Sequence, residues 1–404
     1  MSVEQENLTK QKYLKNGGTI FFISLMAAFV PLSTDLYLPA LNDMCDIFNA
    51  SYSLVNMTLT MFFFFYAVGI VLWGPLSDKY GRKKILIIGN VIYIIASIVC
   101  ALAPNVYVLL TARIFHGLGA GAITSVSLAL VKDCYSGRMR ETILSIVQTM
   151  SGVAPMVAPV LGAILLKFFN WEASFVVLAV ISALNLFLSI LYQETLIPAE
   201  AIKGSIFNSF VRLFKVCQNG KFMLLVFLFG IFNFAFMGYI ATSSYIYQDF
   251  FGLSKTHYSY FFAANAAISM IAPMFYVKFM LGMNKKLLAT VCLSIFVASG
   301  VLMLSFGSLS PWLFLFTLIP YSSIGSIIRP FSSNLQLLQQ EGDTGSASSM
   351  INVIPTIFGC IGMTVIPMGA NLVTTLALSI TVTSVIQLIS WLILLKSKIQ
   401  INGL

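Results

Sequence analysis

Two charged side chains stand out inside long apolar runs of this 404-residue chain, Asp35 and Arg113. A charge in hydrocarbon costs roughly 2.5 to 3.5 kcal/mol on insertion scales, so each needs a partner, a wet cavity or a function. A carboxylate that gains and then loses a neighbouring cation can take up and release a proton. The alternative is a static buried ion pair that fixes helix packing. His116 follows Arg113 on the same run and is either a proton relay or a hydrogen-bonded filler.

The runs that carry these residues are membrane spans. Hydrophobic residues make up 58% of the chain and charged residues 9%, against roughly 25% charged in soluble domains. This excludes a soluble enzyme. The formal charge of +9 is not gathered on one face, so no nucleic-acid partner is implied. The six cysteines are read as reduced packing residues, and no short metal-ligand motif appears. Reading apolar runs bounded by charge, Gly, Pro or Asn predicts spans near 19–42, 52–76, 85–103, 106–131, 141–166, 172–193, 222–248, 257–281, 286–306, 311–336, 345–370 and 373–395. The polar start, with Lys10, Lys12 and Lys15, precedes a retained first span rather than a cleaved signal.

Of the 23 Lys and Arg, 20 fall in the segments on the N-terminal side of the membrane, and only Lys167 and Lys255 on the other. The positive-inside rule then predicts both termini in the cytoplasm. The expected organisation is a tail at 1–18, a six-helix bundle at 19–193, a cytoplasmic connection at 194–221, a second bundle at 222–396 and a tail at 397–404. Val153 to Pro155 with Gly162 and Val353 to Pro355 with Gly362 recur at an offset of 200, and Gly81 heads a loop faintly echoed at Gly282, as duplication of a six-helix unit would leave.

Depth and face suggest how the chemistry is arranged. At 1.5 Å per residue, Asp35 lies about 24 Å from the inner end of span one, and Arg113 about 10 Å from the outer end of span four. Both fall in the outer half of the bilayer, where a direct or water-bridged pair is within reach. Ser24, Ala28, Asp35 and Asn42 share a helical face, as do Arg113, His116, Gly117, Thr124 and Ser127. Tyr37 with His116 in the first half, and Asn233, Ser244, Tyr247 and Asn265 in the second, are candidates for a substrate cavity. Arg329 is expected to snorkel to a membrane surface. The run Phe62 to Phe65 reads as lipid-facing or core. Pro31, Pro39, Pro155, Pro159, Pro273, Pro320 and Pro355 lie within spans, where helices bend.

With these residues in view, the chain resembles a major facilitator superfamily transporter along its whole length. Gly74 to Lys84, G-P-L-S-D-K-Y-G-R-K-K, resembles the superfamily's loop signature, and R-I-F-H-G-L-G-A-G from Arg113 its second signature, with His116 where Gln is usual. A-P-M-V-A-P-V-L-G from Ala154 is similar to the antiporter signature of drug exporters. The segments S-T-D-L-Y-L-P-A-L at Ser33 and S-S-Y-I-Y-Q-D-F-F-G-L-S at Ser243 resemble bicyclomycin-resistance-type drug:proton antiporters.

The resemblance implies an all-α fold of twelve transmembrane helices in two six-helix bundles, alternating access, and efflux of small drug-like molecules driven by protons. It implies that Asp35 exchanges protons and that Arg113 couples this to the substrate. Gly74, Asp78, Gly81, Arg82 and Asp133 would form the gating motif, with Arg82 on Asp133 and Asp78 near Thr344 to Ser346. Pro155, Pro159, Gly162 and Pro355 would bend helices. The partners implied are a small-molecule substrate, protons and the lipid bilayer, with no metal and no cofactor beyond the proton gradient. The default assembly is a monomer in a bacterial cytoplasmic (inner) membrane. The competing reading is a major facilitator transporter dedicated to one metabolite, such as a siderophore, a peptide or an amino acid, for export or import. No Walker-type phosphate loop is present, which argues against ATP. No nucleophile and base constellation lies within the spans, which argues against an enzyme.

Overall fold

The computed structural model describes residues 11–135, 137–196, 207–275, 283–340, 344–397 and 399–404. Every regular element among them is helical: α1 Lys15–Asp35, α2 Leu41–Ile47, α3 Tyr52–Tyr80, α4 Arg82–Ala101, α5 Val106–Cys134, α6 Gly137–Phe168, α7 Glu172–Leu191, α8 Phe207–Cys217, α9 Gly220–Gly230, α10 Phe232–Tyr245, α11 Lys255–Phe275, α12 Lys285–Phe306, α13 Pro311–Leu337, α14 Thr344–Val365 and α15 Leu372–Lys396. Inside hydrocarbon a helix satisfies every backbone group within its own segment, which is why apolar runs of this length fold so. Polar caps set the starts. Asn105, Asn219, Asn284 and Asn371 each accept a backbone N–H of the following turn, and Ser310 accepts from Leu313 ahead of a helix opened by Pro311.

Eleven of the described helical stretches are long and apolar enough to cross a membrane. α11 occupies the place of the predicted eighth span, 257–281, whose last six residues lie outside the described ones. Lys278 falls there, as Lys10 and Lys203 fall in other such stretches, and the side chains of Arg138, Arg212 and Thr344 are likewise not described. The segment expected as a plain connection, 194–221, contains α8, a short helix with Val216 buried and Phe214 exposed. Its mixture of apolar and basic residues kept it below the signal of an apolar run.

The chain divides into two compact units. The first comprises Met1–Ala40, Ile47–Ala50 and Met61–Asn208, and the second Leu41–Asp46, Ser51–Thr60 and Ser209–Leu404. In the first, α1 packs on α6, and α4 on α5 and α7. In the second, α10 packs on α14, and α12 on α13 and α15.

Span one is not one continuous helix. Pro39 has no N–H to give the Asp35 carbonyl, and its ring would collide with that carbonyl in a helix. The chain therefore leaves α1 at Leu36, passes through Leu36–Tyr37, makes a 3₁₀ turn over Leu38–Ala40 and resumes as α2. This corrects the shared helical face expected for Asp35 and Asn42: with the helix broken between them, the 3.6-residue period no longer relates the two. The corresponding span of the second unit is also interrupted, at Ile231 between α9 and α10, and ends in a π-helical turn, Ile246–Phe250.

Glycines let other helices come close to both interrupted spans. A Cβ on Gly162 of α6 would overlap the carbonyl oxygen of Leu36, and one on Gly362 of α14 would overlap that of Phe234. The two glycines stand at the repeat offset seen in the sequence. Each unit thus sets a backbone-to-backbone contact against its interrupted helix.

Candidate functional site

The break in α1 leaves carbonyls of its last turn without helical partners. Arg113 of α5 supplies one. Its Nη1 donates to the Ser33 carbonyl at 3.0 Å and to His116 Nδ1 at 2.8 Å. The guanidinium is fully buried and lies 4.3 Å from the Phe62 ring centre, 5.0 Å from Tyr37 and 5.9 Å from Phe175. Desolvated cation–π contacts are worth about 2 kcal/mol or more, and the negative end of a helix adds about 0.3 to 1. Together these offset much of the insertion cost of the charge.

Asp35 is not that carboxylate. It is buried, and its Oδ1 accepts from Thr34 Oγ1 at 2.8 Å. The ion pairs among the described residues are Arg82 with Asp78, Arg82 with Asp133, and Lys255 with Asp43, so a direct Asp35–Arg113 pair, one of the two arrangements that matching depth left within reach, is not among them. Depth along two helices does not fix the direction in which each side chain leaves its axis. Arg113 points to the backbone two residues before Asp35 instead. Thr34 Oγ1 also lies 3.2 Å from the carbonyls of Val30 and Pro31. One hydroxyl hydrogen thus has a carboxylate and two carbonyls within reach, so Thr34 can donate to an ionised Asp35 or accept from a protonated one.

His116 is fully buried against Tyr93, Phe62 and Phe175, with ring centres 3.9, 5.6 and 6.3 Å away. Its Nε2 lies 3.0 Å from Ser97 Oγ. Tyr37 is fully buried too, its ring 5.2 Å from Phe175. Phe62, Tyr93, Ser97 and Phe175 belong to this cluster but were not singled out from the sequence. Only the first lay in a noticed run, and nothing in spacing links α3, α4 and α7 to Arg113.

In the second unit the expected cavity residues have the following partners. Asn265 Oδ1 accepts from Ser322 Oγ at 2.7 Å. Ser244 Oγ accepts from Gln248 Nε2 at 2.7 Å, and Asn42 Nδ2 donates to Asp249. Tyr52 OH donates to the other oxygen of Asp249 at 2.8 Å. Tyr247 sits on the π turn, fully buried, with Phe261 and Phe314 rings 5.1 and 5.3 Å away. Asn233, on α10, is partly buried. Arg329 is exposed.

The loop motif of the first unit is an electrostatic knot. Arg82 is mostly buried, pairs with Asp78, donates Nε to Asp133 at 3.1 Å and donates Nη1 to Ser77 Oγ at 2.7 Å. Asp133 also accepts from Thr195 at 3.2 Å, and Thr195 accepts from Tyr192, whose hydroxyl burial pushes up. Glu194, unremarked in the sequence, caps α4: its two oxygens accept the backbone N–H groups of Arg82 and Lys83, each at 3.0 Å. Gly81 makes room with a φ of 105°, a conformation only glycine adopts freely. Gly74 lies in α3, where an added Cβ would meet open space. Part of the expectation for Asp78 concerns Thr344 and Gly345, whose side chains lie outside the described ones. Pro155 and Pro159 lie inside α6 and Pro355 inside α14.

An all-helical chain with buried charge at a broken span has the make-up of a membrane transporter, and comparison with known proteins gives the family. The sequence profile of the Major Facilitator Superfamily matches residues 23–394, and the chain belongs to that superfamily. It is 30% identical over 366 residues to the uncharacterised MFS-type transporter YdgK of Bacillus subtilis, covering 87% of this chain and 90% of that one. It is 25% identical to a bicyclomycin resistance protein homolog of Haemophilus influenzae, over 70% of this chain and 71% of that one. The crystal structure of a D-xylose-proton symporter superposes with a TM-score of 0.76 at 15% identity, over 95% of this chain and 98% of that one, which establishes the shared fold. The protein is a multi-pass membrane transporter of the twelve-helix major facilitator fold, not an enzyme.

Proposed function

We propose that the protein exports small drug-like organic molecules across a bacterial cytoplasmic membrane in exchange for protons, with both termini in the cytoplasm. The observation that carries the reading is Asp35: a buried carboxyl at the break of a membrane helix, hydrogen-bonded to a hydroxyl and, among the described residues, in no ion pair. An ionised carboxylate there is costly. A proton delivered from one side of the membrane and withdrawn to the other relieves that cost, and Thr34 can serve both states of the carboxyl. The name of one relative, a bicyclomycin resistance protein homolog, supports a drug-like substrate, and the excess of basic residues on one side supports the orientation.

The energetics are sufficient. One proton moving through 100 mV supplies about 2.3 kcal/mol, and each pH unit adds about 1.4. Together they sustain a substrate gradient of a few hundredfold per proton.

The test is transport by purified protein in liposomes with an imposed pH gradient and a panel of cationic and neutral compounds. The native protein should accumulate several unrelated compounds. Asp35→Asn should insert and fold but lose accumulation against a gradient. Full proton-driven transport by Asp35→Asn would overturn the assignment, and uptake of a single metabolite to the exclusion of the panel would overturn the substrate class.

A further inference from the structure

We infer that His116 is a positioning residue, fixed as the neutral Nε2–H tautomer, that holds the Arg113 guanidinium on the broken end of α1 and carries no proton through the cycle. The inference rests on the reading of Asp35 and Arg113 as transport machinery, but the tautomer stands on the hydrogen-bond geometry alone.

The hydrogens of His116, Ser97, Ser33 and Tyr93 each have one place to go. A guanidinium only donates, so His116 Nδ1, 2.8 Å from Arg113 Nη1, must accept with a lone pair. The ring proton is therefore on Nε2, 3.0 Å from Ser97 Oγ. Ser97 can accept it, because its own hydrogen is directed to the Tyr93 carbonyl at 2.8 Å. Ser33 likewise spends its hydrogen on the Phe29 carbonyl, which leaves Tyr93 OH to donate to Ser33 Oγ. Ser33 then offers its own carbonyl to Arg113 at 3.0 Å. The bonds close a loop through α1, α5 and α4 with Arg113 as the double donor and Ser33 as the double acceptor, and donors and acceptors match in one assignment of the hydrogens.

A relay needs an unfilled acceptor that a new proton can occupy. None is open here: a proton on Nδ1 would set an N–H against the guanidinium N–H. The ring is fully buried beneath Tyr93, Phe62 and Phe175. The titratable groups around it are Arg113 on its own helix and Tyr93 and Cys100 on α4, whereas Asp35 on α1 bonds Thr34. α3 and α7 present phenylalanine rings. Among the described residues no acid in direct contact stabilises an imidazolium.

The chain has two histidines, and His257 is exposed beside Ser254, so the ring is separable by experiment. In ¹⁵N-histidine-labelled His257→Gln protein, His116 should show one pyridine-type and one pyrrole-type nitrogen, unchanged through the range where free histidine titrates. Two pyrrole-type nitrogens at mildly acidic pH would overturn the inference.

Transport gives the second arm. Glutamine offers an acceptor to Arg113 and a donor to Ser97, so His116→Gln should keep the native pH profile and a rate within about threefold of native. His116→Leu offers neither and should lose about tenfold or more, the size expected from one lost charge-assisted hydrogen bond. Loss of transport in a folded His116→Gln protein would overturn the positioning role. Should Asp35→Asn transport normally while the tautomer is as stated, the proton-coupling reading alone fails.

Discussion

The carboxylate of Glu194 closes over the start of α4 at Arg82, 112 residues earlier in the chain, and accepts two successive backbone N–H groups there. A charge that takes two orphaned donors at a positive helix end is worth about 1 to 2 kcal/mol. Glu194→Ala should therefore lower the unfolding free energy by about that much. Gly81→Ala should cost more, because it meets a φ of 105° and places a Cβ 2.5 Å from Glu194 Oε2. Thermal melts of the purified variants in detergent check this, and a Gly81→Ala melt equal to native would contradict the strained turn.

Gly162 and Gly362 make an equivalent prediction in the two units. Substituting either with Ala forces a methyl group into a backbone carbonyl, a form of overpacking that costs typically about 1 to 3 kcal/mol. As the contacts lie in separate units, the double variant should show the sum of the single effects. Melting temperatures of the single and double variants decide it. A Gly162→Ala protein as stable as native would mean that α6 can withdraw from Leu36 freely.

Thiol chemistry should separate two cysteines beyond the membrane spans. Burial, and then Asp133, push the Cys134 thiol up to about 12. At neutral pH only about one thiol in 10⁵ is then the reactive thiolate. Reactivity must rise as pH increases toward that value, not fall. Cys217, on α8, is partly exposed. A maleimide at neutral pH should mark Cys217 and leave Cys134 unmarked, read by mass spectrometry of the digested protein; the reverse order would contradict the burial of Cys134.

What the sequence discloses follows the range of the forces involved. Span positions depend on runs of about twenty residues, so most of them could be read locally, and the shared offset of Gly162 and Gly362 was visible in the sequence. Pro39 marked a bend, yet helical periodicity still carried Asn42 onto the face of Asp35, because a period presumes an unbroken helix. Matching depth brought Asp35 and Arg113 to one level and could not say that Arg113 would turn to the Ser33 carbonyl. Glu194, Ser97 and Phe175 escaped notice for a common reason. Their partners lie on other helices, and no local spacing encodes which side chains meet across a bundle.

The closed loop of bonds through Ser33, Arg113, His116, Ser97 and Tyr93 has a mechanical consequence. Sliding α1 along its axis by one turn, about 5.4 Å, would break its bonds from Arg113 and Tyr93 together. α1, α4 and α5 are thereby stiffened against shear and turn as one lever. Compliance in the first unit is left to the stretch Leu36–Tyr37 and to α6, where Pro155 and Pro159 interrupt the helical ladder. A piston stroke of the helix bearing Asp35 is the costly motion, and rotation about the break that follows it the inexpensive one.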